Sequence, residues 1–452
     1  LTIYCFRDVE ILIRAWEQWL SFIKTEDMGN FARTIAGQSF NAFRHKFMRH
    51  RIFIHDRVEV LELERKAYSG GRVDMFWRGT RDGEVTYKLD VNSMYPYVMA
   101  IHEYPIYPEL CVRGLNHIEV RRLLQESNII AEVELDTDEP AYYKKDKLGV
   151  YFPVGRFTTV LSTPEVSYAL EHDHIVSFGQ VICYKKAPIF HDFVVYFYER
   201  RARAKRQGQL AYAAFYKLIM NSLYGKFGQM ISGWRMIGNC DISLYSEETV
   251  IDTKTRTVTF RRFHDGIVEE STRPMEAYNS SPAIAAHVTA YARMYLWSLI
   301  KQAGVKNVFY TDTDSLFTDA VGLSNLRDYL DPLALGALKV EAQTNHLVLQ
   351  APKVYEFGNE LKRKGIRHDA VELAPGLYEQ DLWTRLGTRI NLGIGEAYCI
   401  KKVEKHLTYD YNKGRVMPSG WVEPWALSAS FPARPSPPRQ SSWRLLESLP
   451  VA

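Results

Sequence analysis

The stretch that most constrains this chain is 309–317, FYTDTDSLF, in which Asp312 and Asp314 follow a β-forming run. Val308, Phe309 and Tyr310 favour a strand, so the run reads as a strand reaching a tight turn. In extended backbone, residues two apart share a face, and both carboxylates are expected side by side. Neighbouring carboxylates repel, and burial sharpens the repulsion. Hard carboxylate oxygens relieve it by taking Mg²⁺ or Mn²⁺. A solvated Asp-Thr-Asp turn satisfies the same pattern, so this stretch alone leaves both readings open.

Two further stretches shift the balance. Residues 85–96, VTYKLDVNSMYP, form another β-rich run that reaches Asp90 and then Tyr95-Pro96. Between them lies 217–229, KLIMNSLYGKFGQ, where Lys217, Asn221 and Tyr224 fall at i, i+4 and i+7, on one face of a helix. A carboxylate strand, a Lys/Asn/Tyr helix and a second carboxylate strand suit metal-assisted phosphoryl chemistry. In order and content the three stretches resemble motifs A (D-x-x-S-L-Y-P), B (K-x-x-x-N-S-x-Y-G) and C (Y-x-D-T-D-S) of family B DNA polymerases. Met94 replaces the usual Leu of motif A, a volume-conserving departure. The resemblance implies an α+β fold of the polymerase right-hand type. Its parts are a palm of antiparallel sheet with helices, helical-hairpin fingers and a small thumb.

At 452 residues the chain exceeds one ordinary domain, and two or three compact units are expected. A charged fraction of 24% and a hydrophobic fraction of 46% are those of a soluble globular protein. The net charge is only +4, so any nucleic-acid surface must be local. Cys5, Cys111, Cys183, Cys240 and Cys399 are scattered, odd in number and without C-x-x-C spacing. That argues against a disulfide framework or zinc site and for a reducing, intracellular setting. No apolar run approaches a membrane span, and no signal-peptide pattern opens the chain. It begins with Leu1 rather than Met, so a fragment is expected.

Along the chain, residues 1–24 predict an amphipathic helix whose apolar face is Ile3, Val9, Ile11, Leu12, Ile13, Trp16, Trp19, Leu20 and Ile23. Residues 4–8, YCFRD, resemble the third exonuclease motif (Y-x-x-x-D) of proofreading family B enzymes. The other exonuclease segments would precede residue 1, so no proofreading is expected. The resemblance divides the chain as follows: 1–66 exonuclease remnant and connector, 67–110 palm with motif A, and 111–190 an insertion similar to the first terminal-protein region. Then come 191–228 fingers, 229–280 an insertion similar to the second terminal-protein region, 281–350 palm with motif C, and 351–427 thumb. Both insertions are features of the protein-primed branch found in small phages, adenoviruses and linear plasmids. Residues 428–452, rich in Ser, Pro and Arg, are expected to be disordered.

Locally, 129–135 and 150–154 predict strands and 164–171 a helix. Residues 191–206 predict a helix closing on Arg200, Arg201, Arg203, Lys205 and Arg206, with Gln207-Gly208 as punctuation before a second helix over 210–224. Lys205 and Arg201 are the candidates to reach phosphate, and a solvated helix end accounts for the rest. Residues 248–263 predict a hairpin turning near Thr255. A helix over 282–300 presents Ile284, Val288, Tyr291, Tyr295 and Leu299 to the core. Tyr68-Ser69-Gly70-Gly71 resembles the Y-x-G-G element that contacts template, with Arg72 adding charge; a plain Gly-Gly turn is the alternative. Pro352-Lys353-Val354-Tyr355 matches the primer-binding K-x-Y element, with Lys362, Arg363 and Lys364 following it.

The chemistry implied by the resemblance is template-directed phosphoryl transfer. Asp90, Asp312 and Asp314 would be the catalytic carboxylates: Asp90 and Asp314, with the Val91 carbonyl, would hold two Mg²⁺ ions (or Mn²⁺) about 3.5–4 Å apart, with Asp312 standing behind them or serving as a partial ligand. Lys205, Lys217 and Asn221 would meet the nucleotide, with Tyr95 and Tyr224 as the floor of its pocket. Tyr68, Gly70, Gly71, Ser93, Gly225, Thr313, Lys353 and Tyr355 would contact DNA. The implied partners are primer-template DNA, deoxynucleoside triphosphates and a terminal priming protein. The chain is expected to be a monomer in host cytoplasm, or in an organelle carrying a virus or linear plasmid, and not at a membrane. The main alternative is a catalytically inactive relic serving as a DNA-binding or priming scaffold, against which the intact motifs count. An RNA-templated polymerase usually shows Y-x-D-D and lacks the Lys/Asn/Tyr helix, and a phosphohydrolase has no need of the hairpin.

Overall fold

The helix Pro282–Ala303 starts at a proline in its first turn and buries nearly every side of its surface, aided by alanines at 283, 285, 286, 290 and 292. A helix apolar all round belongs inside a core. Of the expected core face, Ile284, Val288 and Leu299 are buried and Tyr291 and Tyr295 half-buried, and together they are only part of what the helix packs away. The computed structural model describes residues 2–428 apart from 232, 245, 253–256, 272–274 and 384–399, together with 430, 433 and 434. Its described residues divide into two compact units, one within 1–229, 279–347 and 413–434, the other within 230–278 and 348–412.

In the first unit the helix packs against helices Val58–Ala67, Met94–Ile101 and Thr163–Glu171. A sheet in this unit places Val73–Met75, Val308–Asp312, Ser315–Thr318, Gly79–Val91 and Leu338–Ala351 side by side in that order. Each neighbouring pair among the first four is antiparallel. A second sheet orders Ala426–Leu427, Val154–Ser162, Asn128–Thr137, Ile175–Ala187 and Tyr104–Arg113. Its residues Ile130, Val160 and Ile182 share a core cluster with Val60, Leu63, Ala283 and Ala286. The predicted strand over 129–135 and helix over 164–171 thus appear as Asn128–Thr137 and Thr163–Glu171, while 150–154 divides between Gly149–Tyr151 and Val154–Ser162.

The helices His191–Arg206 and Leu210–Ser222 form the expected hairpin. Gly208 turns the chain at φ 70°, a conformation glycine adopts without steric cost. Glu26 ties the hairpin down, accepting hydrogen bonds from Tyr196, Tyr216 and Arg200. The N-terminal helix Thr2–Thr25 departs from expectation. Val9, Ile11, Leu12, Ile13, Trp16 and Leu20 are exposed and Trp19 is half-buried; among the described side chains of this helix, which do not include that of Ile3, only Phe22 and Ile23 are buried. The reason is that only its last two turns meet the hairpin, through Trp19 and Phe22 against Phe215, Tyr212 and Tyr216. Disorder beginning at residue 428 is also corrected at Arg434. Its buried guanidinium donates to Asp146 and the Gly149 carbonyl and lies 4.3 Å from the Tyr151 ring. The rest of the expected tail, 435–452, lies outside the described residues.

The second unit contains an antiparallel sheet ordered Arg235–Asn239, Ile267–Ser271, Thr257–His264 and Ser246–Asp252. Arg261 and Arg262 stand directly opposite Glu270 and Glu269 and pair with them, charge matches that help set the register. The expected turn at Thr255 lies outside the described residues, between strands that do pair. Met230–Ile231 pairs with Met275–Glu276 at the base of this segment. The unit also holds the hairpin Val354–Phe357 with Glu360–Lys362, and a sheet of Val371–Ala374, Leu377–Trp383 and Ile400–His406.

Candidate active site

Two strand ends meet in the first unit. Gly79–Val91 brings Asp90 level with Ser315, and the Val91 amide donates to the Asp314 carbonyl at 2.8 Å. Asp312 closes Val308–Asp312 opposite Ser315, leaving Thr313 and Asp314 as the two-residue turn. Thr313 has φ 67°, a strained conformation for a β-branched residue at about 1–3 kcal/mol. Bonds around it hold the turn: the Thr313 amide to the Arg72 carbonyl at 2.7 Å, and the Asp314 amide to the Asp312 carbonyl at 2.8 Å. The expectation of two carboxylates aligned by the pleat is thus corrected, because the strand ends at Asp312 and Asp314 sits on the bend.

The carboxylate beside Asp314 is Asp90. Burial, and next the Asp90 charge, push the Asp314 carboxyl up to about 6. Burial also raises Asp90, against the opposing pull of Lys339, whose Nζ lies 3.0 Å from Asp90 Oδ2. Asp312 is engaged differently, accepting from Thr313 Oγ1 at 3.2 Å and from the Tyr310 hydroxyl at 3.4 Å. Among the described residues no three His, Cys, Asp or Glu side chains gather closely enough to hold a metal ion by themselves. The donor chemistry still fits one, since two half-buried carboxylates with raised proton affinity are what a hard dication relieves.

Positive charge faces this pair. Lys217 acts on Asp90 from the hairpin's second helix. Lys205 is held below its usual range by Arg201 first, then burial, Lys339 and Lys217, which shows four cations converging. Arg201 also donates to Ser93 Oγ at 3.0 Å, and Ser93 adopts φ 54° just ahead of the helix Met94–Ile101. The Tyr95 and Tyr224 rings stack with centroids 4.5 Å apart, and burial holds the Tyr95 hydroxyl proton firmly. Asn221 lies on the same helix as Lys217, and its Oδ1 is buried with no hydrogen-bond partner among the described residues. The helix pauses at Leu223, so Tyr224 opens a short helix of its own, Tyr224–Phe227. Tyr68 packs against Gly228, and Gly225 is exposed.

Gly71 approaches the turn closely: a Cβ there would stand 2.9 Å from Thr313 Cγ2 and 2.9 Å from the Tyr95 hydroxyl. The Ser69 and Gly70 carbonyls each accept from Arg293 at 2.8 Å. Arg72 corrects its expectation. Its guanidinium is buried among Phe76, Phe152 and Trp297 and paired to Asp74 at 3.0 Å, leaving no charge for phosphate. Lys353 and Tyr355 belong to the second unit, where Lys353 has φ 65° and the buried Tyr355 donates to Glu360 at 3.1 Å.

The family model described as DNA polymerase type B, organellar and viral, matches residues 1–303. The chain belongs to that family. This type B chain is 29% identical over 301 residues to the DNA-directed DNA polymerase of Enterobacteria phage PRD1, covering 65% of this chain and 50% of that protein. It is 25% identical over 342 residues to a probable DNA polymerase of Neurospora intermedia, covering 71% of this chain and 33% of that one. It therefore spans a third to a half of the length of these relatives. Among solved structures, Phi29 DNA polymerase complexed with single-stranded DNA superposes with a TM-score of 0.53 at 18% identity, over 85% of this chain and 61% of that one. The same polymerase with primer-template DNA and incoming nucleotide gives 0.52 at 17%, over 86% and 62%. At such identity the likeness is one of fold, and it establishes a mixed α and β architecture.

Sequence reasoning missed three residues of this type B site: Lys339, Arg293 and the Glu165 that pairs with Arg293. The alternation Lys339-Val340-Glu341 marks both charges for one strand face, but nothing in it says that the face meets Asp90.

Proposed function

We propose that this chain is a template-directed DNA polymerase, extending a 3′ hydroxyl with deoxynucleotides. The observation that carries the reading is the half-buried Asp90/Asp314 pair facing Lys205, Lys217 and Lys339. Asp90, Asp314 and the Val91 carbonyl are the oxygens that would hold Mg²⁺, with substrate phosphate completing the set. When bound, the metal supplies charge neutralisation for the triphosphate and acidity for the primer hydroxyl. Lys205 and Lys217 bind triphosphate oxygens, where positioning and electrostatics do most of the catalysis. The stacked Tyr95 and Tyr224 form the floor of the nucleotide pocket, and the open Asn221 carbonyl group accepts from the incoming substrate. Gly70, Gly71, Ser93, Thr313 and Gly225 line the DNA path with Tyr68, while Lys353 and Tyr355 hold primer.

In this reading 67–110 and 281–350 are palm, 191–228 fingers and 351–427 thumb. The insertions at 111–190 and 229–280 serve a protein-primed start: the first docks the priming protein and the second encircles template. Support for the second comes from its folded four-stranded sheet and the strand pair at its base. The test is extension of a labelled primer-template by the purified chain with Mg²⁺ and four deoxynucleotides. Template-directed extension is expected. DNA binding without extension would hand the chain to the scaffold reading.

A further inference from the structure

An alternating chain of charges runs out from Asp90. Lys339 Nζ lies 3.0 Å from Asp90 Oδ2 and 3.1 Å from Glu341 Oε1, and Lys88 Nζ reaches Glu341 Oε2 at 3.6 Å. Two carboxylates and two ammoniums leave this chain formally neutral. Lys339 and Glu341 sit two apart on Leu338–Ala351, the strand beside Gly79–Val91, so they share a face. The Lys339 side chain is 31% exposed, so its ammonium has room to move between partners.

Resting on the reading of Asp90 as a dication ligand, we infer that Lys339 is a tethered counter-cation that occupies Asp90 in the metal-free protein and retreats to Glu341 when a divalent cation arrives. An ammonium and a dication compete for the same carboxylate oxygens. Lys339 yields Asp90 without losing all its partners, because Glu341 already holds its other side; a side-chain rotation is enough. Two consequences follow. Asp90 is not left as an unpaired, half-buried charge when no metal is bound. The same contact weakens cation binding, because each binding event breaks an ion pair, so Lys339 sets the metal concentration at which the site fills. Lys339 is a positioning residue here, acting through Asp90.

The experiment is Mn²⁺ binding to the full chain without DNA, read as loss of the free-ion electron paramagnetic resonance signal. K339M should bind Mn²⁺ about tenfold more tightly than the parent, the worth of one charge-assisted hydrogen bond no longer broken. K339R keeps the contact and should stay within about twofold of the parent, and so should K88M, which removes a charge without touching Asp90. K339Q repeats the measurement if K339M does not fold. Equal affinity in parent and K339M, or an equal gain in K88M, with binding still abolished by D90N, overturns the role of Lys339 and leaves the metal reading standing. Mn²⁺ binding unchanged in D90N overturns both.

Discussion

Replacing Arg293 by methionine should destabilise the first unit heavily, because Arg293 joins the core to the turn beside the carboxylates. Its guanidinium bonds Glu165 Oε1 at 2.8 and 3.1 Å and donates to the Ser69 and Gly70 carbonyls at 2.8 Å each. Both charged side chains are 1% exposed. R293M leaves the Glu165 carboxylate buried with the Ser162 amide, at 3.1 Å, as its one remaining donor among the described residues, and strands two carbonyls. Breaking a buried pair from one side costs about 3–5 kcal/mol, most of it the uncompensated charge. Removing both charges is milder, so the double variant E165Q/R293M should recover about 1–2 kcal/mol relative to R293M. Urea denaturation at pH 7.5, followed by near-ultraviolet circular dichroism, measures both. A loss in R293M below about 1 kcal/mol, or a double variant no more stable than the single one, would refute the reasoning. Since Arg293 holds the Gly70 carbonyl and the adjoining Gly71 lies against Thr313 and Tyr95, DNA binding should weaken in R293M even where the fold survives.

Burial and Asp90 raise the Asp314 carboxyl to about 6 from 3.8, so folding penalises its ionised form. That penalty is absent below about pH 4 and grows as pH rises to about 6; D314N should therefore be more stable than the parent at pH 8 in chelator, by up to about 3 kcal/mol, and equal to it at pH 4. A stability difference independent of pH would contradict this. If Tyr95, whose ring stacks on Tyr224, forms the floor of the nucleotide pocket as proposed and crowds a 2′ hydroxyl, Y95V should raise ribonucleotide incorporation relative to deoxyribonucleotide; unchanged discrimination would mean the ring only packs. Deleting residues 233–279 should spare single-nucleotide addition on primed single-stranded template while stopping synthesis at downstream duplex. Intact strand displacement after the deletion would remove the encircling role from that segment.

Much of the site was readable because it lies in short contiguous stretches. Asp90, Lys217 and Asp314 stand in patterns whose residue types are dictated by chemistry, and the hairpin around Gly208 follows from local punctuation. What escaped depends on how separate stretches meet. Lys339 faces Asp90 only through the lateral order of Leu338–Ala351 beside Gly79–Val91, which no local pattern encodes. Arg72 looked like a free charge next to two glycines, but Asp74 and three aromatic rings from distant segments enclose it. The apolar face of Thr2–Thr25 had the right period for burial, yet only its last two turns meet the helical hairpin, and upstream Trp16 touches Phe31 while staying exposed. The placement of Asp314 was inferred from a strand pleat, whereas a positive φ at Thr313, in a residue type that resists it, bends the chain there.

The central claim is that Asp90 and Asp314 together carry nucleotide transfer. Single-turnover incorporation of one correct nucleotide, with enzyme in excess over labelled primer-template and Mg²⁺ present, tests it most directly. D90N and D314N should each lose about a thousandfold or more in rate while still binding DNA, since a neutral amide does not replace a charged ligand in a site that works by electrostatics. D312N, whose carboxylate is occupied by Tyr310 and Thr313, should lose far less. Incorporation by D314N at the parent's rate would contradict the account.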